Sequence, residues 1–282
     1  MRVTFYGVRG SVPAPGPSTA RYGGNTSCVE VILGDGTTLI LDAGTGMRAL
    51  GSTLLESSRH QTVHLLLSHT HWDHVLGLPF FAPLWRKDSE ILVYPLPTDA
   101  QERFQRTIFD DIHFPVSVND IPAKVEFIKP TEEPWRIGSA RVRRIALNHP
   151  GNSQGFRIDD SSGASLTYLT DNELLRGEAG EAALDALARF SADVDLLIHD
   201  SQYLASDMPA KYGWGHSVID DVLTLGARAE ARKLVLFHHD PTRTDDDLDA
   251  IKARSAGWLA EHAPATGLCV AIEGQSVDLA AK

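Results

Sequence analysis

Short apolar runs recur along the chain, and each breaks off at a polar, chemically reactive residue. "TTLILDAGTG" stops at Asp42, "TVHLLLSHTHWDH" at a cluster of histidines, "RVRRIALNHPG" at His149 and "SLTYLTDNE" at Asp171. "DVDLLIHDSQY" stops at Asp200, and "KLVLFHHDP" at His238 and His239. Runs of this length, rich in leucine and β-branched residues, predict strands buried on one or both faces. Between them, residues 181–190, 217–231 and 244–262 carry apolar side chains at helical spacing. Ser217 is the expected cap of the second helix, with Asp220 and Asp221 in its first turn, and Thr244 the expected cap of the third. Polar residues at the ends of several strands are how α/β architectures assemble one site from distant sequence. Residues 95–130 are the least regular stretch, expected to form an excursion over that site. No composition break divides the chain, which reads as one domain over residues 1–282.

Composition narrows the function classes. With 43% apolar and 22% charged residues, the chain has ordinary globular content. Its net charge of −11 argues against general polyanion binding, which needs a basic face. Two cysteines, Cys28 and Cys269, cannot form a disulfide framework and fit a reducing compartment. The N-terminal "MRVTFYGVRGS" reads as a strand and a glycine turn rather than a signal peptide. No stretch approaches the roughly 20 apolar residues of a membrane span. The expectation is a cytoplasmic protein with no membrane partner.

The sharpest chemical signal is His69-x-His71-x-Asp73-His74. In a chain with 12 histidines this pattern arises by chance in about one sequence in 10³. Imidazole and carboxylate donors suit zinc and other borderline divalent ions. A compact loop at a strand end can aim His69 and His71 at one ion, and Asp73 and His74 at a second. His149 and Asp171, at other strand ends, then supply a third ligand and a bridging carboxylate. His238 and His239 are neighbours on an extended segment, so their side chains diverge and only one is expected to bind. His64 is expected inside the strand that precedes the motif.

This series of a His-x-His-x-Asp-His motif, a lone His, a lone Asp and a C-terminal His resembles the metallo-β-lactamase superfamily. The resemblance spans nearly the whole chain. It implies an α/β fold, an αββα four-layer sandwich, with two divalent metal ions at the sheet edges, zinc first and manganese second. It also implies that Asp42 supports the ligands from behind. "YGWGHSVIDDVLTLGARAEARKLVLFHHD" is similar to a stretch of ribonuclease Z and related phosphodiesterases, in which a Gly-His-Ser precedes a helix, a strand and the last ligand. Carried over, His216 protonates the leaving oxygen, Asp200 orients it where those relatives usually have Glu, and His238 is the ligand, with His239 second. Asp73 would both hold metal and orient the attacking water. "YGVRGSVPAPG" and "RYGGNTSCVEV" resemble the N-terminal loops of the same group, where Arg9, Ser11 or Asn25 could line a phosphate pocket.

Ribonuclease Z usually inserts a transfer-RNA-gripping arm between the ligands matching His149 and Asp171. Here 21 residues separate them, and they read as a hairpin. With the acidic charge, this points to a small cyclic phosphodiester, a cyclic nucleotide or a phosphoribosyl cyclic phosphate, and not a nucleic-acid polymer. By analogy with such relatives a homodimer is expected. Tyr212 and Trp214, and likewise His113 and Phe114, are aromatic residues to which no substrate contact is assigned. A lactone, thioester or β-lactam hydrolase has no need of "GWGHS", and a non-enzymatic metal-binding or cofactor-biosynthesis protein would have lost ligands. Both are the alternatives to phosphodiester hydrolysis.

Overall fold

The computed structural model describes residues 1–94, 109, 114–130 and 132–281. Strands β1 (Arg2–Gly7), β2 (Cys28–Ile32), β3 (Thr38–Leu41), β4 (Thr62–Leu66), β5 (Glu90–Val93) and β6 (Lys124–Phe127) form one sheet, with β14 (Ser276–Asp278) on its edge. The order is β14-β1-β2-β3-β4-β5-β6. The second sheet holds β7 (Trp135–Ile137), β8 (Ala140–Ala146), β9 (Gln154–Asp160), β10 (Ser165–Leu169), β11 (Leu196–Asp200), β12 (Lys233–Phe237) and β13 (Gly267–Val270). Its order is β13-β12-β11-β10-β9-β8-β7.

Alternation along the strands explains the layering. Leu39 and Leu41 of β3, Leu196 and Ile198 of β11, and Val235 and Phe237 of β12 point into the apolar layer between the sheets. Their neighbours face outward: Ile40 packs with Met47, Leu50 and Leu54 of α1 (Met47–Glu56). Leu197, Leu234 and Leu236 meet the helices on the other side. Because both faces are covered, these strands read as continuous apolar runs. A single helical turn, α2 (Trp72–Val75), follows β4. The outer helices of the second sheet are α3 (Glu178–Phe190), α4 (Ile219–Arg228) and α5 (Asp245–His262). The four-layer α/β sandwich is thus the one expected.

Thr244 caps α5 in a capping box: its Oγ1 accepts from the Asp247 amide at 3.2 Å, and the Asp247 carboxylate accepts from the Thr244 amide at 2.8 Å. Ser217 does not cap α4, whose N-cap is Val218. Its hydroxyl instead donates to the Asn172 carbonyl at 2.6 Å and accepts from the Leu174 amide at 3.1 Å. Of the expected excursion, residues 95–108 and 110–113, including His113, lie outside the described residues. Residues 124–127 are β6, parallel to β5, and Phe114 packs edge-on to Phe80 and Phe109 in the outer apolar layer. Among the described residues no helix is long and apolar enough to cross a membrane, and Cys28 and Cys269 are free and buried.

Strands β3 to β6 run parallel, as do β10 to β13, and β8 lies two antiparallel steps from β10 and so runs the same way. The C-terminal ends of β3, β4, β8, β10, β11 and β12 therefore gather their loop residues at one edge of the sandwich.

Candidate metal centre and active site

At that edge the backbone takes sharp turns. Asp42, Asp171 and His238, each within two residues of its strand, have φ of 61°, 53° and 59°. Left-handed backbone at a non-glycine residue costs about 1–3 kcal/mol and persists where surrounding contacts over-determine it. Here each turn swings a side chain toward a common centre. His69 leaves β4 directly, His71 sits at the N-cap of α2, and the single turn of α2 presents Asp73 and His74 from one side.

Three overlapping groups of donor atoms result among the described residues, each with its atoms within 4.8 Å of one another, and the third, Asp171, Asp200, His216 and His238, shares Asp171 and His238 with the second. The first is His69, His71, His149 and Asp171; the second is Asp73, His74, Asp171 and His238. In the first, His149 Nε2 lies 3.0 Å from His71 Nδ1, and Asp171 Oδ2 lies 3.6 Å from His69 Nε2 and 3.5 Å from His149 Nε2. In the second, His74 Nε2 and His238 Nε2 lie 3.0 and 3.1 Å from Asp171 Oδ1, and both lie 3.2 Å from Asp73 Oδ2. Ligands about 2.0–2.2 Å from a tetrahedral ion are spaced by about 3.3 Å. Asp171 thus offers one oxygen to each of these two groups.

A direct test of fit for metal is the state of the buried nitrogens. His69 Nε2 and His74 Nε2 are buried without a hydrogen-bond partner, although carboxylate oxygens stand near both. His69 Nε2 stands 3.6 Å from Asp171 Oδ2 and His74 Nε2 3.0 Å from Asp171 Oδ1, the spacing of ligands around a shared cation. The opposite ring nitrogens of His69, His74, His149 and His238 are engaged. His74 Nδ1 donates to Asp42 Oδ2 at 2.8 Å, His149 Nδ1 to the Gly215 carbonyl at 2.9 Å, and His238 Nδ1 to Gln202 Oε1 at 3.0 Å. Ser68 Oγ donates to Asp42 and therefore accepts from His69 Nδ1 at 3.0 Å. This outer hydrogen bonding selects the tautomer that leaves the inner nitrogen free for metal. The residues fit two divalent ions.

Electrostatics agrees with that fit. Burial disfavours charge on Asp171, yet His238, His74 and His69 hold its carboxyl well below the ordinary range. Burial likewise opposes charge on His74, but Asp171, Asp73 and Asp42 outweigh it and lift its pKa well above the usual imidazole value.

Asp42 is fully buried and accepts from the Ser68 amide (2.7 Å), Ser68 Oγ (2.9 Å), His74 Nδ1 (2.8 Å) and Tyr168 OH (2.8 Å). Asp42→Asn turns a donor toward these donors. We expect a loss of about 3 kcal/mol in denaturant unfolding and about 10–100-fold weaker metal binding by equilibrium dialysis. Unchanged values of both would show that Asp42 does not support His74.

Beside the second group, His216 Nδ1 donates to Asp200 Oδ2 at 2.6 Å, so the shorter aspartate reaches its partner. Asp200 is fully buried and also accepts from the Gln202 and Ser217 amides. His239 turns away from the cluster and donates Nε2 to the Ala271 carbonyl at 2.9 Å, leaving His238 in the centre. His64 lies within β4, with Nδ1 2.9 Å from Tyr94 OH. Of the three N-terminal residues considered for a phosphate pocket, only Ser11 reaches the site, its amide donating to Asp73 Oδ2 at 2.8 Å. Arg9 is wholly buried and donates Nε to the Gly23 carbonyl and Nη1 to the carbonyls of Asp240 and Arg243, while Asn25 binds Glu273 and Thr45. Tyr212 and Trp214 are 54% and 56% exposed and do not pack into the core. Gln202, Ser68, Tyr168 and Glu173, which hold the site from behind, are not marked by the motif pattern.

Fold and site together define a protein of the metallo-β-lactamase fold. Residues 37–239 match the family model described as a beta-lactamase superfamily domain, and the chain belongs to that family. An uncharacterised protein of Mycobacterium leprae is 28% identical over 278 residues, covering 95% of this chain and 87% of its own. A ribonuclease Z of Haloarcula marismortui is 25% identical over 288 residues, covering 84% of this chain and 86% of its own. Among solved structures, the metallo-β-lactamase-fold protein YhfI of Bacillus subtilis superposes with a TM-score of 0.71 at 20% identity over 98% of both chains.

Proposed function

We propose that this superfamily hydrolase cleaves a small cyclic phosphodiester, a cyclic nucleotide or a phosphoribosyl cyclic phosphate, with two divalent ions bound. The observation that carries this is the His216–Asp200 pair, 2.6 Å apart and beside the second donor group. A thioester expels a weakly basic thiolate that needs no proton, whereas a phosphodiester expels a strongly basic alkoxide, for which a general acid matters. The likeness to a ribonuclease Z, whose name denotes a phosphodiester-cleaving enzyme, supports the same chemistry.

Bound at the two groups, the ions would supply a water of lowered pKa and neutralise charge on the phosphoryl oxygens. Asp73, held by the Ser11 amide, orients the attacking water. His216 gives its proton to the departing oxygen from the ring nitrogen opposite Asp200. Burial works against charge on His216, but Asp200 outweighs it and raises the pKa to about 9, so the acid form is present at neutral pH. The imidazole-rich first group favours zinc, and the second, with two carboxylates, also suits manganese.

A small substrate is supported by the connection between His149 and Asp171. β9 and β10 pair as a tight antiparallel hairpin, with no segment to grip a polymer. The exposed rings of Tyr212 and Trp214, on the loop that carries His216, offer a stacking surface to a base, although Lys211 Nζ covers Trp214 at 3.9 Å. The test is a substrate panel for metal-loaded protein: 3′,5′-cyclic nucleotides, a phosphoribosyl cyclic phosphate, precursor transfer RNA, a lactone and a thioester. Turnover of a cyclic phosphodiester is the expected result. Turnover of the lactone or thioester alone, or of the RNA alone, would overturn the proposal.

A further inference from the structure

The segment after Asp171 has no place in the chemistry above, yet it ties three loops of the site together. The Glu173 amide donates to the Asn148 carbonyl at 2.9 Å, and Asn148 Nδ2 donates to the Glu173 carbonyl at 3.0 Å. Leu174 and Asn172 bind Ser217 on the other side. The Glu173 side chain is buried, and it is turned toward backbone. Its carboxylate accepts from the Gly213 amide with both oxygens at 3.0 Å and from the Gly215 amide at 3.0 Å. A carboxylate accepting several amides fixes a loop far more firmly than a neutral acceptor does.

The loop so fixed carries two functions. Gly215 precedes His216, and its carbonyl accepts the Nδ1 proton of His149 at 2.9 Å. It approaches so closely that a Cβ at 215 would stand 2.1 Å from His149 Nδ1, and its φ is +83°. No side chain can occupy that position, so the loop's hold on His149 rests on backbone placement alone.

We infer that Glu173 is a positioning residue, which through Gly213 and Gly215 sets both the orientation of the His216 acid and the tautomer of the His149 ligand. This deepens the phosphodiesterase reading and rests on it for the acid, but its metal arm stands without it. Loss of the carboxylate frees the loop, so one change weakens proton delivery and one donor group together.

Glu173→Ala and Glu173→Gln, the latter retaining one acceptor oxygen, are compared with wild type by two measurements. Zinc and manganese titration of metal-depleted protein by calorimetry is expected to show one of two ions bound about 10-fold more weakly in Glu173→Ala, with Glu173→Gln between. Turnover of a cyclic nucleotide, whose leaving group is an alkoxide, is expected to fall about 10²-fold, while turnover of bis(p-nitrophenyl) phosphate, whose leaving group is a weak base, falls far less. A general loss of packing would lower both substrates alike. Native affinity for both ions in a folded Glu173→Gln and Glu173→Ala, or equal losses on the two substrates, would overturn the assignment. Should wild type hydrolyse no phosphodiester, the functional reading falls while the calorimetry still decides whether Glu173 positions His149.

Discussion

Asp171→Asn is expected to leave the protein with at most one tightly bound metal ion and to lower turnover about 10³-fold or more. Asparagine is the informative choice because, like aspartate, it tolerates the left-handed backbone found here, φ 53°, so charge is removed with little change in local strain. Five imidazoles stand around this one carboxylate: His74 and His238 beside Oδ1, and His69, His149 and His216 beside Oδ2. An amide keeps one oxygen for one donor group and turns an NH₂ toward the other, so both groups cannot stay complete. Stoichiometry is read by mass spectrometry of dialysed protein. Two ions bound with wild-type affinity would show that Asp171 bridges nothing.

The same substitution has a pH signature in metal-free protein. The carboxyl of Asp171 is held well below its ordinary value, so it adds stability above the unfolded pKa near 4 and loses it as pH falls through the lower folded value. The wild-type advantage over Asp171→Asn should therefore be full at neutral pH and shrink in acid.

How much of this was legible beforehand follows from where each signal lives. Strands β3, β4, β10, β11 and β12 are covered on both faces, so their apolar runs stand out, and each reactive residue marks the point where cover ends. β6, only Lys124–Phe127 at a sheet edge and half-buried, has no such run and was absorbed into an irregular stretch. The residues of the two donor groups cluster in a dense local motif or stand at strand ends. Their supports do not: Tyr168 meets Asp42 across 126 positions, and Glu173 meets Gly215 across 42. Such pairings are set by topology, and no local pattern encodes them. Arg9 and Asn25 erred in the other direction. Beside glycine-rich turns they look like phosphate ligands, but folding draws them inward to satisfy carbonyls and Glu273. Ser217 was misplaced for a similar reason, because the acidic turn at Asp220 and Asp221 suggested a cap while its hydroxyl bridges Asn172 and Leu174.

His216→Ala should lower turnover of an alkoxide-leaving substrate by about 10²–10⁴-fold while both ions stay bound. Retention is expected because His216 belongs to neither of the two groups proposed to hold the ions: its Nδ1 donates to Asp200 at 2.6 Å and lies 4.0 Å from Asp171. The pH profile separates an acid from a mere packing residue. The His216 pKa, raised to about 9 chiefly by Asp200 against burial, sets the alkaline limb: activity is full below it and falls as the ring loses its proton. Divalent ions alongside repel that proton and move the limb lower. Asp200→Asn removes the charge that raises the pKa, so its limb should shift toward neutral pH, and in His216→Ala the limb should vanish. An aryl phosphodiester needs no protonation of its leaving group, and its rate should be nearly indifferent to both changes. Equal losses on aryl and alkyl substrates with an unshifted alkaline limb would remove His216 from proton transfer, and with it the observation on which phosphodiester hydrolysis rests.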